Sequence, residues 1–411
     1  MDLRFTADED RFRKDARTYL DDLLHGEFAV IRGRGGPGDE HSFYDERLAW
    51  ERRLGADQWT CVGWPAEHGG RALPLPLQVI WYEEYARAGG PGRLGHIGEG
   101  LIGPTLIHFG SPAQQQRFLP QIRLGGELWC QGYSEPDAGS DLANIQTRAD
   151  RVTSADGDEY VLNGQKVWTS LAQWSDWCFV LARTDREAAT RHKGISFLLI
   201  GMDAPGIEVR PIVQMTGTSE FNEVFFADAR TPADLVVGGV NNGWKVAMGL
   251  LSFERGASTL GQQFGFQREL RELFALAAQQ GRAQDPVWRQ RLAALYSRLE
   301  IMRWNSLRML TNADRPELSG EGYISKLYWA RLHRDLGEAF MDLQGEASLL
   351  CDDGSDPAAA IEGYALSGAQ RLFLFSRSDT IYGGSNQIQR NIIGERALGL
   401  PPESKVASGT R

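Results

Sequence analysis

The sequence predicts an α+β fold, mainly helical and built in three parts. These are an N-terminal helical domain over 1–126, a middle β domain over 127–240 and a C-terminal helical bundle over 241–400, with a tail at 401–411. Three observations lead there. Apolar residues recur at helical spacing at both ends of the chain. Between the ends, β-branched and aromatic runs are cut by Pro, Gly and Asp turns. The length, 411 residues, exceeds what one hydrophobic core usually holds.

The elements follow in order. Thr6 and Glu9 have capping-box spacing, and Phe12, Ala16, Tyr19, Leu20 and Leu23 then mark one helical face. Arg32 to Glu40 reads as a glycine-rich loop. Its GRGGPG matches G-x-G-x-x-G only formally, because no strand precedes it and Pro37 sits inside it. A second helix carries LQVIWYEEYARA, Leu77 to Ala88. In the middle, YVLNGQKVWTS predicts a hairpin turning at Asn163-Gly164. DWCFVLART, GISFLLIGM, IEVRPIV and NEVFFAD read as further strands. From Trp244 to about Leu398 some four long helices are expected, with breaks near Gln284–Pro286, Arg315–Gly322 and Cys351–Pro357. The tail after Pro402 is expected to fray.

Composition narrows the function. Lys plus Arg is 44 against 54 Asp plus Glu, a net charge of -10 with no long basic run, which argues against nucleic acid. Cys61, Cys130, Cys178 and Cys351 are scattered and form no C-x-x-C pair. They are expected to be reduced, buried thiols of a cytosolic protein. The N-terminus has no apolar core of a signal peptide, and no run reaches the ~18 apolar residues of a spanning helix. The expectation is a cytoplasmic protein without a membrane segment. The seven histidines show no metal-ligand spacing, and no G-x-S-x-G elbow or P-loop occurs, so no metal is expected.

Four blocks carry chemistry: WCQGYSEPDAGSDLANIQTRA (129–149), NGQKVWTS (163–170), FERGAS (253–258) and YGGSNQIQRNIIGER (382–396). In this order they resemble the acyl-CoA dehydrogenase family, over nearly the whole chain. The resemblance implies FAD as cofactor. It assigns flavin contacts to Gln131, Tyr133, Ser134, Gly139, Ser140, Trp168, Thr169, Ser170, Ser385, Asn386 and Gln387. It assigns substrate contacts to Ser140, Arg255, Gly383 and Gly384. The residue types agree, since Ser134, Gly139 and Ser140 offer backbone donors and hydroxyls in a tight turn.

The reaction implied by the family is α,β-dehydrogenation of an acyl-CoA thioester to the trans-2-enoyl-CoA. A base removes the α-proton and a hydride passes from the β-carbon to flavin N5. The weakly acidic α-proton demands preset donors for the enolate oxygen. In the family one is the backbone N–H after the tyrosine of the YxG motif, here Gly383. Many members carry the catalytic glutamate at that position, and this chain does not. Other members place the base on a helix immediately before an arginine, which here is Glu254-Arg255.

A helical wheel supports this choice. With Glu254 at zero, Ala247, Leu250, Leu251, Ala257, Ser258 and Gly261 fall within about 60° on either side. Glu254 thus sits on the apolar, small-residue face, where desolvation raises a carboxyl pKa towards that of a working base.

The family's adenine-binding motifs are eroded. Residues 277–293 read AAQQGRAQDPVWRQRLA with no Phe-Gly. In FMDLQGEASLL (340–350) Met341 stands where the family has glutamine, and only Gly345 remains of a glycine pair. The pattern resembles the α-subunits of bacterial heterotetrameric acyl-CoA dehydrogenases of steroid and cholesterol breakdown. It implies a bulky branched or steroid-derived acyl group, a homologous partner in an α2β2 assembly and electron-transferring flavoprotein as acceptor. The alternatives are an ordinary branched- or medium-chain homotetrameric dehydrogenase, an O2-using flavin oxidase or N-oxygenase, and a non-catalytic assembly subunit.

Overall fold

The computed structural model describes residues 5–154, 157–253, 257–311, 320–351 and 365–402. Glu254 and Arg255, the tail beyond Pro402, and parts of two expected helix breaks (315–319 and 352–357) lie outside these residues. The chain divides into two compact units, the first running to Gly261 and the second beginning at Gln262.

The first unit opens with helices α1 (Ala7–Leu24), α2 (Tyr44–Ala56), α3 (Leu75–Ala88), α4 (Gly103–Phe109) and α5 (Pro112–Arg123). The expected capping box is present. The Glu9 N–H donates to Thr6 Oγ1 at 3.2 Å, and the Thr6 N–H donates to Glu9 Oε2 at 2.7 Å. Along α1 the predicted face is the buried one, with Ala16 and Leu20 in the core and Phe12, Tyr19 and Leu23 packed at its edge. Trp59 and Trp81 stack beneath it at 4.3 Å.

The Arg32–Glu40 loop is not a phosphate cradle. Gly35 adopts φ 73°, and a Cβ there would lie 2.3 Å from the Arg47 guanidinium carbon. Arg47 is buried and donates to Glu40 Oε2 at 2.6 Å and to the Gly92 carbonyl at 2.9 Å. The glycine makes room for a structural arginine.

Glu84 on α3 has a side chain only 1% exposed and is met by Arg13 at 3.0 Å, Arg17 at 2.9 Å and Arg87 at 2.5 Å. Burial by itself would raise its carboxyl, but the three arginines outweigh it and hold the pKa at about 2. The folded pKa is depressed, so the stabilisation is full above the ordinary carboxylate range and drains as pH falls towards 2. The shift corresponds to roughly 3 kcal/mol at neutral pH. Denaturant midpoints of wild type and Glu84→Gln, followed from about pH 7 to about pH 3, are expected to converge on acidification. A gap that does not change with pH would contradict this.

The middle segment forms one eight-stranded sheet: β1 (Trp129–Gly132), β2 (Arg148–Ser154), β3 (Gly157–Ser170), β4 (Trp177–Arg183), β5 (Ile195–Gly201), β6 (Ile207–Ile212), β7 (Phe221–Pro232) and β8 (Val236–Val237). The strand order is β6-β7-β3-β2-β4-β5-β8, with β1 pairing parallel to β4. The hairpin expected at Asn163-Gly164 is not there, because β3 runs straight through those residues. The ladder to β7 slips between Leu162 and Gly164 instead. Gly164 has φ 154°, and a Cβ would lie 2.5 Å from Thr147 Oγ1. Asn163 exchanges hydrogen bonds with Asp228 at 2.9 and 3.1 Å. The Asn-Gly pair therefore makes a β-bulge. Helix α6 (Gly243–Phe253) buries Val246, Ala247 and Leu250 against Phe197 and Leu199 of the sheet.

All four cysteines are free thiols. Cys61, Cys130 and Cys178 are buried as expected, but Cys351 is exposed, which corrects the expectation for that residue. No described helix is long and apolar enough to cross a membrane.

The second unit contains most of α7 (Ala257–Gln279), then α8 (Pro286–Thr311), α9 (Gly320–Gln344), α10 (Gly368–Phe375) and α11 (Asn386–Ile392). Leu270 and Leu273 of α7, Leu295 and Leu299 of α8, and Leu332 and Leu336 of α9 form its core at helical spacing. The break expected near Gln284–Pro286 is a 3-10 turn over Arg282–Gln284, with Pro286 opening α8. Among the described residues three helices are long, and the short α10 and α11 stand where a fourth was expected.

Candidate active site

The first set of candidate residues belongs to β1, the turn after it and the end of β3. Gln131 lies on β1 opposite Phe179 of β4. Tyr133 is buried, its ring edge-on to Phe179 and Phe197. Ser134 follows, and its carbonyl accepts the Val167 N–H at 2.9 Å, tying the turn to β3.

Beneath this tie lies a pair of residues the sequence reading missed. Lys166 is fully buried and donates to Glu135 Oε1 at 2.7 Å and to the Tyr133 carbonyl at 3.2 Å. The same carboxylate accepts the N–H groups of Gln146 at 2.6 Å and Thr147 at 2.9 Å. Burial pushes the Glu135 carboxyl up, but the Lys166 ammonium and the backbone donors bring it below the usual carboxylate range. Burial pulls the Lys166 ammonium down, and Glu135 returns part of that. The pair closes both ends of the SEPDAGSDLANIQ loop onto the sheet. Its sequence signal is faint, a lysine between Gln and Val just past a bulge.

Held this way, the loop leaves Gly139 and Ser140 exposed, and a Cβ on Gly139 would meet nothing within 4 Å. Beside it, β3 slips again against β7 between Lys166 and Thr169. Trp168 sits in this second bulge at φ 60° and is 58% exposed. Strained backbone of this kind clusters at binding and active sites, and here it holds a large aromatic face in the open. Thr169 is wholly buried, and among the described residues nothing bonds its Oγ1. Ser170 pairs with Phe221 at the strand end. An exposed indole, an unpartnered buried hydroxyl and an open glycine turn fit a flat, polar-edged ring system such as a flavin.

The second set lies in the second unit. Gly383 and Gly384 have φ 58° and 84°, so both use the freedom of glycine. Among the described residues nothing accepts the Gly383 N–H. The two carbonyls are held from one side, by Gln389 Nε2 at 3.1 and 3.5 Å. Ser385 caps α11 by accepting the Ile388 N–H at 3.3 Å. Asn386 opens that helix with a buried Oδ1 that nothing bonds among the described residues, and Gln387 follows it.

Glu254 and Arg255 lie outside the described residues. Just before them, on α6, Ala247 and Leu250 are buried and Leu251 packs at the core edge. Among the described residues no cluster of His, Cys, Asp or Glu could hold a metal ion.

These features meet in one family. The chain belongs to the acyl-CoA dehydrogenase family, whose N-terminal, middle and C-terminal domains match residues 6–125, 130–229 and 241–398. It is 54% identical over 398 residues to acyl-CoA dehydrogenase IpdE1 of Mycobacterium tuberculosis, covering 97% of this chain and 99% of that one. The solved Tcur3481-Tcur3483 steroid ACAD superposes with a TM-score of 0.83 at 31% identity, over 98% of this chain and 100% of that one. The ChsE4-ChsE5 complex from Mycobacterium tuberculosis gives 0.76 at 27% identity, over 98% and 100%.

Proposed function

We propose that this chain is the catalytic subunit of a two-component, FAD-dependent acyl-CoA dehydrogenase. It converts a bulky, steroid-derived acyl-CoA thioester to its trans-2-enoyl-CoA. The observation that carries the reading is the YGG turn, where Gly383 lacks a side-chain base yet keeps an unclaimed backbone donor at φ 58°. The proton then falls to Glu254, whose carboxylate takes it from the α-carbon. The Gly383 N–H donates to the thioester oxygen as negative charge grows there. Trp168, Thr169 and the Ser134–Ser140 turn would hold the flavin ring and its polar edge, with Gln131, Tyr133 and Ser170 behind them. Ser385, Asn386 and Gln387 would hold it from the other motif. Arg255, Gly384 and Ser140 would contact the substrate. Bound FAD supplies the two-electron acceptor for the hydride that leaves the β-carbon. Electron-transferring flavoprotein would then reoxidise the enzyme, in the cytoplasm.

The partner and the substrate class rest on likeness. The two solved relatives above are named as two-component assemblies, one of them a steroid enzyme. Erosion of the adenine-binding motif supports the same view, since Met341 packs against the bundle core where the family has a polar glutamine. The three-domain division at 126 and 240 belongs to the same proposal.

The test is production of this chain alone and together with a homologous dehydrogenase subunit from its gene neighbourhood. Flavin absorbance per chain is expected to be low alone and restored by the partner. A screen of CoA thioesters from short branched acids to steroid-ring acids is expected to bleach the flavin only at the bulky end. A homotetramer with near-stoichiometric FAD would overturn the partner requirement, and bleaching by short acids alone would overturn the substrate class.

A further inference from the structure

His333 on α9 is buried and lies between two carboxylates. Asp379 Oδ2 is 2.5 Å from its Nδ1, and Glu269 Oε2 of α7 is 3.3 Å from its Nε2. The ring stacks on Phe266 at 4.3 Å between centroids. Burial alone would make the imidazole easier to deprotonate. The Glu269 charge and the Asp379 hydrogen bond outweigh that and hold its pKa up to about 10. The cationic form of the ring is thereby favoured, seated between buried Asp379 and partly exposed Glu269.

Asp379 connects this cation to the YGG turn. It is 1% exposed, in the 3-10 turn Ser378–Thr380 that leads into Tyr382. Its Oδ2 is engaged by His333, and its Oδ1 accepts the Tyr382 hydroxyl at 2.7 Å. Its backbone carbonyl accepts Lys326 Nζ. Lys326 also lies over the Tyr382 ring at 4.8 Å, and its Cε would be 3.3 Å from a Cβ on Gly383. The Tyr382-to-Asp379 bond closes a short ring of backbone just before Gly383, and Gln389 fixes the carbonyls just after it. The direction of the Gly383 N–H is therefore set from both sides. The upstream side depends on where the Asp379 carboxylate sits.

We infer that His333 is a positioning residue, which through Asp379 and Tyr382 aims the Gly383 N–H at the thioester oxygen. The inference rests on the reading of Gly383 as the thioester-oxygen donor. His333 touches no substrate in this account. Without its charge, buried Asp379 loses the cation that engages its Oδ2, and its carboxylate is expected to shift and loosen its hold on the Tyr382 hydroxyl. A donor displaced by a fraction of an ångström loses most of its preference for the transition state.

The experiment uses the assembled flavoprotein and two variants, His333→Gln and Tyr382→Phe. The second leaves His333 in place and cuts only its link to the turn. The first readout is the ionisation of a bound 3-oxoacyl-CoA, whose acidic α-carbon reports donor strength at the thioester oxygen without turnover. The second is anaerobic flavin bleaching, separated into a limiting rate and a half-saturating substrate concentration.

Wild type is expected to ionise the analogue at lower pH than free solution does. Both variants are expected to shift that ionisation upward. Both should lower the limiting rate about tenfold to a hundredfold, with half-saturation changed less than about threefold. His333→Gln/Glu269→Gln, which restores charge balance, is expected to recover part of the rate. If wild type does not promote ionisation, the reading of Gly383 fails. If wild type does, but Tyr382→Phe and any folded His333→Gln protein ionise the analogue and bleach as wild type does, the positioning role of His333 fails. Lowered thermal stability with both readouts unchanged counts as that second failure.

Discussion

Glu254→Gln is expected to keep its flavin and lose reductive bleaching by any CoA thioester. The amide is nearly isosteric with the carboxylate and cannot accept the α-proton. A positioned general base contributes on the order of 10²- to 10⁴-fold, and Gly383 has no side chain to take over. Helix α6 ends at Phe253, the residue before Glu254, and its Ala247 and Leu250 are buried, as the wheel requires of the residues that precede the base. Anaerobic stopped-flow mixing with substrate measures the effect. Full bleaching at the wild-type rate would remove Glu254 from the mechanism.

The second large effect is structural. Lys166→Met is expected to destabilise the protein by about 3–5 kcal/mol, because it strands a buried carboxylate. Glu135 would keep its two backbone donors from Gln146 and Thr147 but lose the one cation in ion-pair contact with it among the described residues. The Ser134–Ser140 turn would lose one of its anchors, so flavin content should fall together with the denaturation midpoint. Lys166→Met combined with Glu135→Gln should recover much of the stability, since no buried charge is left alone. A single Lys166→Met variant with an unchanged midpoint and full flavin would show that the pair anchors nothing.

Much of the architecture was legible because local chemistry and tertiary packing agree. The Thr6–Glu9 capping box, the stripe from Phe12 to Leu23 and the break before Pro286 are all set by neighbours in sequence, and each stands where spacing puts it. Asn163-Gly164 misled for a physical reason. The pair permits a tight turn, but it equally permits a bulge, and close approach of Thr147 selects the bulge. The two bulges of β3 also break the in-out alternation that would have marked Lys166 as inward-facing.

The candidate site divides in the same way. Gly383, Gly384 and the SEPDAGS turn could be read from sequence because glycines and caps announce unusual backbone. What holds them could not. Lys166 reaches Glu135 across 31 residues, and His333 reaches Asp379 across 46. Such pairs leave no periodic trace. His333 read in sequence as one of seven isolated histidines without metal spacing, and only the fold sets it between Glu269 and Asp379.

The reaction proposed for this chain is α,β-dehydrogenation of an acyl-CoA thioester with FAD as the electron acceptor. Its most direct test is a single anaerobic turnover of the assembled flavoprotein with a saturated steroid-side-chain or ring-remnant acyl-CoA, followed by mass analysis of the thioester. One flavin is expected to bleach for each trans-2-enoyl-CoA formed, the product lighter than its substrate by two hydrogens. A thioester recovered unchanged beside an oxidised flavin, or a product that forms only with O2 and carries oxygen, would contradict it.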